Sequence, residues 1–187
     1  MMDAEHEPVV GLAGDPDGFE RLWTPHRMVY IEGQDKPAVP DPEHCPFCRA
    51  AASDDDAQSL VVARGAAVFA LLNLYPYNSG HLMVLPYRHV SDYVDLDEAE
   101  FAELGAMTRK AMIVLRAVMA PSGFNLGINQ GAVAGAGIGA HLHKHVVPRW
   151  RGDANFMPIV AQTKTMPELL SRTRERLAAA WSEGTSC

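Results

Sequence analysis

Short apolar runs separated by turn residues dominate the middle of the chain. Residues 60–64, 67–72 and 81–86 are rich in Val, Leu, Ala and Met, and turn residues separate them, which is typical of β-strands. The sequence Pro-Tyr-Asn-Ser-Gly at residues 76–80 is a strong turn signal. The second and third runs are therefore predicted to form an antiparallel hairpin.

From residue 97 the apolar positions follow a helical period. Asp97 and Glu100 have the spacing of a capping box, and the segment from Pro121 to Gly123 ends the helix. Met and Leu at helical spacing indicate core packing rather than a binding face. The predicted core stripe comprises Phe101, Leu104, Met107, Ala111, Leu115 and Val118.

A second helix is predicted near the C-terminal end of the sequence. Thr165 and Glu168 have the spacing of a helix cap. The apolar positions that follow predict a buried face. Its members are Leu169, Leu170, Leu177 and Trp181.

Two more strands are predicted, at residues 124–129 and at residues 141–147, where Pro148 ends the second one. Residues 156–161 are a candidate for a last strand. Strands joined mostly by short turns, with one long helix inserted between them, indicate an α+β fold. We expect an antiparallel five-stranded sheet with one long helix and a C-terminal helix.

Composition and charge set limits on this picture. A chain of 187 residues, 48% of them hydrophobic, is large enough for one domain with a sizeable core. We expect that domain at residues 21–187, after a flexible acidic tail at residues 1–20. The formal net charge of -7 argues against a broad nucleic-acid surface.

Neither a membrane nor a secretory route is indicated by the sequence. No apolar run approaches the roughly 20 residues that span a bilayer. The first ten residues are acidic and lack the basic-then-apolar layout of a signal peptide. We therefore expect a cytoplasmic protein with no membrane partner.

Three histidines alternate with other residues in the last predicted strand. Side chains at every second strand position share a face, so His141, His143 and His145 are predicted to lie on one face, about 7 Å apart. Core or surface packing explains one such histidine easily but explains three poorly. A neutral imidazole is a competent nucleophile toward phosphorus and a tolerable leaving group. The pattern therefore predicts group transfer through a histidine.

A glycine-rich segment directly precedes the histidines. Residues 130–139 contain four glycines, and backbone N–H groups between Gly135 and Gly139 can approach phosphate oxygens closely because no Cβ intervenes. Asn129, at the end of the preceding strand, could add a neutral donor. The combination favours a phosphate-containing substrate.

These motifs together resemble a known family. The stretch His-Leu-His-Lys-His-Val-Val at residues 141–147 is similar to the signature of the histidine-triad (HIT) family, and residues 73–81 and 147–156 also look like that family. The resemblance covers roughly residues 21–182 and is strongest to the bacterial branch of diadenosine tetraphosphate phosphorylases and hydrolases. It implies a homodimer with the antiparallel sheet continued across the interface.

The resemblance also implies roles for individual residues. His143 would be the nucleophile that forms a nucleotidyl-histidine intermediate, and His145 would donate to a phosphate oxygen. Asn129 and the loop at Gly137 and Ile138 would hold the same phosphate.

Two further roles and two departures follow from the same resemblance. Asn73 matches a ribose-binding position, and His81 matches a buried histidine that supports the triad through hydrogen bonds. Lys144 stands where the family usually has an apolar residue, and it is predicted to face away from the histidines. Ala136-Gly137 stands where phosphorylases of this kind tend to have a glycine and a serine, so phosphate and water both stay open as acceptors.

Cys45 and Cys48 have Cys-x-x-Cys spacing, which suits one side of a tetrahedral zinc site. His89 and His141 are the predicted remaining ligands, an arrangement that related histidine-triad proteins use, and His44 is an alternative. A redox pair would need a βαβ context that the sequence does not predict. Two buried thiols without a metal are the other alternative. A site filled by four protein ligands would be structural, with His141 belonging to both the triad and the metal site.

We expect an enzyme that cleaves dinucleoside polyphosphates through His143 and passes the nucleotidyl group to phosphate or water. A nucleoside phosphoramidate hydrolase using the same histidine is the first alternative. A metallohydrolase would need a nearby carboxylate ligand, and the first acid after the histidines is Asp153. A nucleotide-binding regulator without turnover is the remaining alternative.

Overall fold

The computed structural model describes residues 41–153 and 168–183, which lie in one compact unit, Pro37–Cys187. The predicted domain boundary near residue 20 and the candidate strand at residues 156–161 lie outside the described residues. Three α-helices and five strands make up the described part. They are α1 (Pro46–Ala52), β1 (Val61–Arg64), β2 (Val68–Leu72), β3 (Leu82–Pro86), α2 (Glu98–Met119), β4 (Gly123–Ile128), β5 (Lys144–Arg149) and α3 (Leu170–Ser182).

The strands form one antiparallel sheet in the order β1-β2-β3-β5-β4. The predicted hairpin joins β2 to β3, with Leu72 opposite Leu82. The chain then inserts α2 before β4 and returns as β5 between β3 and β4. The predicted α+β fold, with its five-stranded antiparallel sheet, long helix and C-terminal helix, is confirmed.

One face of the sheet is covered by α2 and α3. The capping box at the start of α2 is present, because the Asp97 side chain accepts from Glu100 N and the Glu100 side chain accepts from Asp97 N. Burying apolar side chains between helices and sheet contributes most of the stability of such a layer. The buried side chains on this face include Val68, Leu72, Val84, Leu104, Ala111, Leu115, Val146, Leu177 and Trp181.

On the other face, the only α-helix among residues 41–153 and 168–183 is the seven-residue helix α1, which was not predicted from the sequence. Arg64 at the end of β1 holds its C-terminus by donating to the backbone oxygens of Ala50, Ala51 and Ser53. A cation at a helix C-terminus satisfies carbonyls that the helix leaves unpaired. A small buried cluster joins α1 to this face, formed by Cys45, Phe47, Val61, Phe69, Leu71, Met83 and Leu85.

The predicted histidine strand is wrong at both ends. The strand begins at Lys144 rather than at His141. Leu142 N donates to Val90 O, and the Pro86 carbonyl at the end of β3 is bonded by the His141 ring, so neither group extends the pairing of β3 with β5. Pro148 lies inside the strand, opposite Phe124. The Pro148 carbonyl points away from β4 and accepts from the Asn78 side chain. The nitrogen of a strand residue lies on the same side as its carbonyl. The N–H that proline lacks is therefore not needed for pairing with β4.

Two predicted core positions and one predicted cap are also wrong. Phe101 is 54% exposed and Leu169 is 71% exposed. The last helix begins at Leu170, with Leu169 at its N-cap and no side-chain capping bond. Glu168 instead accepts from Thr173, and Thr165 lies outside the described residues.

Within the described ranges, no helix is both long enough and apolar enough to cross a bilayer.

Candidate active site

The three histidines lie where β5 begins, and all three are at least 93% buried. His143 Nδ1 is 2.8 Å from the backbone oxygen of His141. A carbonyl only accepts, so Nδ1 carries the proton and donates to it. The lone pair of His143 is therefore on Nε2, which makes that nitrogen the nucleophilic atom of the ring.

His145 is placed by a second buried histidine, His81. Tyr77 N donates to His81 Nδ1 at 3.0 Å, so that nitrogen is an acceptor and the proton is on Nε2. His81 Nε2 lies 2.9 Å from His145 Nδ1 and donates to it. The remaining proton of a neutral His145 is then on its own Nε2, which makes that nitrogen a hydrogen-bond donor.

Burial keeps the rings of His143 and His145 uncharged at neutral pH. Desolvation lowers the pKa of His143, and the bond to the His141 carbonyl opposes this in part. Desolvation, with a smaller contribution from His143, lowers the pKa of His145 to about 4. A neutral His143 retains the lone pair that a nucleophile requires.

Two aromatic side chains that the sequence analysis missed pack on these rings. Phe47 of α1 contacts His141 and His143, with ring centroids 5.6 and 5.1 Å apart. Tyr77 contacts His81 and His145 at 4.7 and 5.5 Å. Their positions in the sequence could have identified them. Phe47 lies between the two cysteines, and Tyr77 lies in the turn before His81.

The predicted phosphate-binding and ribose-binding positions differ in how close they come to the triad. Asn129 Nδ2 lies 3.5 Å from His145 Nε2, so two donors can converge on one oxygen. Asn73 lies beside His81, with Nδ2 3.4 Å from His81 Nδ1, and its Oδ1 accepts from Tyr75 N. Gly137 and Ile138 are partly buried in the loop before the triad, where Ile138 packs against the α1 cluster.

The four predicted metal ligands, Cys45, Cys48, His89 and His141, come together behind the triad. Their ligand atoms all lie within 4.8 Å of one another. Cys48 Sγ is 3.2 Å from His89 Nδ1, and both sulfurs are 3.5 Å from His141 Nδ1. Tetrahedral zinc bonds of about 2.3 Å to sulfur and about 2.0 Å to nitrogen place such atoms about 3.6 Å apart. The donor set and spacing therefore fit a metal ion of this kind.

The second nitrogen of His141 supports that fit. Its Nε2 donates to Pro86 O at 2.9 Å, which leaves the Nδ1 lone pair directed at the sulfurs. Desolvation lowers the pKa of His141 to about 4, so the ring is neutral, as a metal ligand must be. His44, the alternative ligand, is exposed and its ring bonds to Asp41 instead.

The His89 ligand follows a residue that is fixed to the start of α2. Arg88 donates to both carboxylate oxygens of Glu100, at 3.0 and 2.6 Å, and to Asp95 O. Glu100 is the same side chain that caps α2. The segment that carries His89 is thus fastened to the helical layer.

Known proteins resemble this chain both in sequence and in fold. The family described as HIT domain matches residues 55–152. The chain is 49% identical over 174 residues to the AP-4-A phosphorylase of Mycobacterium tuberculosis, which covers 90% of this chain and 88% of that protein. It is also 37% identical over 84 residues to the asymmetrical bis(5'-nucleosyl)-tetraphosphatase of Schizosaccharomyces pombe, covering 45% and 46% of the two chains.

The solved structures show the same fold at lower identity. A zinc-bound histidine triad family protein from Mycobacterium smegmatis superposes with a TM-score of 0.61 at 24% sequence identity. The match covers 76% of this chain and 96% of that chain. At this identity the likeness concerns the fold.

Proposed function

Because this chain belongs to the HIT domain family, we propose that it cleaves dinucleoside polyphosphates of the diadenosine tetraphosphate type through a nucleotidyl-histidine on His143. The observation that carries the proposal is the 2.8 Å bond from His143 Nδ1 to the His141 carbonyl, which leaves Nε2 as the nucleophilic atom. The relatives named as phosphorylase and tetraphosphatase support the substrate class.

The first step makes one bond and breaks one. His143 Nε2 attacks the phosphorus next to a nucleoside, and the bond from that phosphorus to the bridging oxygen breaks. The leaving nucleotide departs with the electron pair of that bond. His145 Nε2 and Asn129 Nδ2 would donate to a phosphoryl oxygen as charge develops on it, which stabilises the transition state. Asn73 would bind the ribose, and Gly137 with Ile138 would line the phosphate.

The second step returns His143 to its starting state. An acceptor oxygen attacks the phosphorus, the bond from phosphorus to Nε2 breaks, and the electron pair returns to the imidazole. Phosphate as acceptor gives ADP and ATP from diadenosine tetraphosphate, whereas water gives AMP and ATP. The 49% identity to a protein named phosphorylase favours phosphate, although Ala136-Gly137 departs from the glycine-serine expected in such enzymes.

Product analysis with and without phosphate tests this function. Diadenosine tetraphosphate should yield ADP only when phosphate is present, because the acceptor determines which nucleotide leaves His143. AMP with ATP in both conditions would identify a hydrolase instead. If the purified protein cleaves no dinucleoside polyphosphate but cleaves a nucleoside phosphoramidate, the proposed substrate class is wrong and the first alternative replaces it.

We propose zinc as the metal held by Cys45, Cys48, His89 and His141. Two thiolates and two imidazoles are the ligand type that zinc prefers, and four protein ligands leave no position for a catalytic water. When bound, the ion would serve structure by joining α1 to the residues that precede β5. A similar fold from Mycobacterium smegmatis is zinc-bound, which supports the identity of the metal.

We also propose a homodimer formed through β4. Among the described residues this strand pairs only with β5, and Asn125, Leu126 and Gly127 on it are exposed. An open edge strand offers unpaired backbone groups to a second copy of itself. Sedimentation should show a dimer in the wild type and a monomer in Leu126→Lys. The cytoplasmic location stays a prediction from the sequence.

A further inference from the structure

A compact polar cluster at the end of β5 takes no part in the proposed reaction. Asp153 accepts from Arg149 Nε at 2.6 Å, from Arg149 Nη2 at 2.9 Å and from Trp150 N at 3.1 Å. The Asp153 side chain is 10% exposed. Bidentate pairing with a guanidinium fixes the orientation of a carboxylate as well as its charge.

Asn78 connects this cluster to the turn between β2 and β3. Its Nδ2 donates to Asp153 Oδ2 at 2.8 Å and to Pro148 O at 3.1 Å. Its Oδ1 accepts from Ser79 N at 3.1 Å. The amide therefore makes three bonds, two to the end of β5 and one within its own turn, and these hold the turn against β5.

The residue before Asn78, Tyr77, contributes to the tautomer of His81 and, through it, to that of His145. Tyr77 N donates to His81 Nδ1, and His81 Nε2 donates to His145 Nδ1. The Tyr77 ring also packs on both imidazoles. A series of hydrogen bonds, interrupted only by the backbone of residues 77 and 78, thus runs from Asp153 to Nδ1 of His145.

We propose that Asp153, Arg149 and Asn78 act as positioning residues that hold Tyr77 N against His81, and so fix the His145 proton on Nε2. The inference rests on the proposed function of His145 as a phosphate donor. If the turn moves away, His81 Nδ1 loses the donor at 3.0 Å. The longer contact with Asn73 Nδ2, at 3.4 Å, holds the tautomer less firmly, so the second tautomer becomes accessible to both rings. His145 would then present a lone pair to the phosphate in part of the population.

Asn78→Asp tests the proposal with the smallest change of shape. The variant keeps an acceptor for Ser79 N, but it cannot donate and it places a second carboxylate beside Asp153. We expect kcat to fall by about 10- to 100-fold with a much smaller change in KM, because His145 acts on charge that develops in the transition state. Gln58→Glu, the same amide-to-acid change at an exposed position, should leave kcat unchanged.

Long-range proton–nitrogen spectra of the histidine rings give a readout that a merely structural role would not move. In the wild type His145 Nδ1 should be the unprotonated nitrogen, and in Asn78→Asp the two nitrogens should approach averaged shifts. The loss of kcat that Asn78→Asp causes should also disappear in a His81→Phe background, because the hydrogen bond from His81 to His145 is already absent there. If Asn78→Asp does not fold, Asp153→Asn, which still accepts from Asn78, provides the same measurement with a smaller expected shift.

A wild-type tautomer pattern in a folded Asn78→Asp protein would overturn the proposal, as would an equal loss of kcat in the His81→Phe background. The spectra need no substrate. A shifted tautomer in a protein that cleaves no dinucleoside polyphosphate would therefore leave the positioning role standing and reject the proposed function.

Discussion

The two faces of the sheet are covered by different kinds of contact. On one face, α2 and α3 bury a large apolar cluster that includes Leu115 and Leu177, both 0% exposed. On the other, α1 is seven residues long, and His141, His143 and His145 are buried beside it. Apolar burial by the two helices stabilises the first face, whereas the second combines a smaller apolar cluster with buried polar groups that satisfy one another.

The candidate functional side chains lie on one face of the sheet and not on the other. Among the described residues, the buried apolar cluster on the α2 and α3 face consists of Val, Ala, Leu, Met and Trp side chains and contains no cysteine. The α1 face collects the predicted metal ligands and the triad, and backbone carbonyls of His141 and Pro86 set the ring orientations there. Substitutions on the two faces should therefore separate stability from metal binding and turnover.

The largest expected effect is on the α1 face. Cys45→Ser combined with Cys48→Ser should reduce bound zinc from about one ion per chain to nearly none, since two of four ligands are lost. Turnover should fall by about 10-fold or more because Phe47 and His141 lose their common anchor. Elemental analysis and kinetics measure the two effects. Cys187→Ser is the matched control and should keep its zinc, and a metal-free wild type would refute the site.

The second effect concerns the helical face. Leu115→Ala removes a fully buried side chain and should lower the free energy of unfolding by about 2–5 kcal/mol while the zinc content stays unchanged. Leu169→Ala, at a 71% exposed position, should change it by less than about 0.5 kcal/mol. Denaturant unfolding gives both values. Loss of metal in a folded Leu115→Ala protein would show that the two faces are not separable.

The smallest effect lies at the junction between the faces, where Glu100 joins α2 to Arg88. The Arg88 guanidinium, followed by the backbone N–H of Asp97, holds the pKa of Glu100 below its ordinary value although burial opposes this. A carboxyl with a lowered pKa stabilises the fold above its ordinary pKa of about 4.3, and that contribution disappears as the pH falls through the folded value.

Glu100→Gln should therefore cost about 1–3 kcal/mol of unfolding free energy at pH 7 and much less near pH 3. Glu98→Gln, exposed in the same helical turn, is the matched control and should change the unfolding free energy by less than about 0.5 kcal/mol at pH 7. A Glu100→Gln cost that is the same at both pH values would show that the ion pair does not stabilise the junction.

Much of the fold was predictable because its apolar positions and its turn and capping residues follow simple local patterns. The β2–β3 hairpin and α2 follow alternation, turn residues and a capping box, and each of these is local in sequence. Phe101 and Leu169 were mistaken for core because helical period alone does not show where a stripe extends past the sheet. Helix α1 was missed because seven residues are too few to show a helical repeat of apolar positions. Its C-terminal end is also held by Arg64, a tertiary contact that the local sequence does not reveal.

The candidate site was predictable in its residue types but not in its connections. The spacing of the histidines and cysteines indicated which groups come together, and the structure places the four predicted metal ligands side by side. The start of β5 could not be predicted, because Val90 O and Pro86 O are distant in sequence and take the bonds that would extend the strand. Likewise, Tyr77 and Asp153 reach His145 only through tertiary contacts.

The central claim is that His143 Nε2 becomes covalently bound to a nucleotidyl group. Rapid mixing with a dinucleoside polyphosphate, quenching in an alkaline denaturant that preserves the acid-labile phosphorus–nitrogen bond, and intact mass measurement without acidification test it directly. We expect a mass increase of one nucleotidyl group, located on His143 by fragmentation and missing from His143→Asn. Turnover of that variant should fall by at least about 10³-fold. Turnover in His143→Asn close to the wild type, or an adduct on another residue, would contradict it.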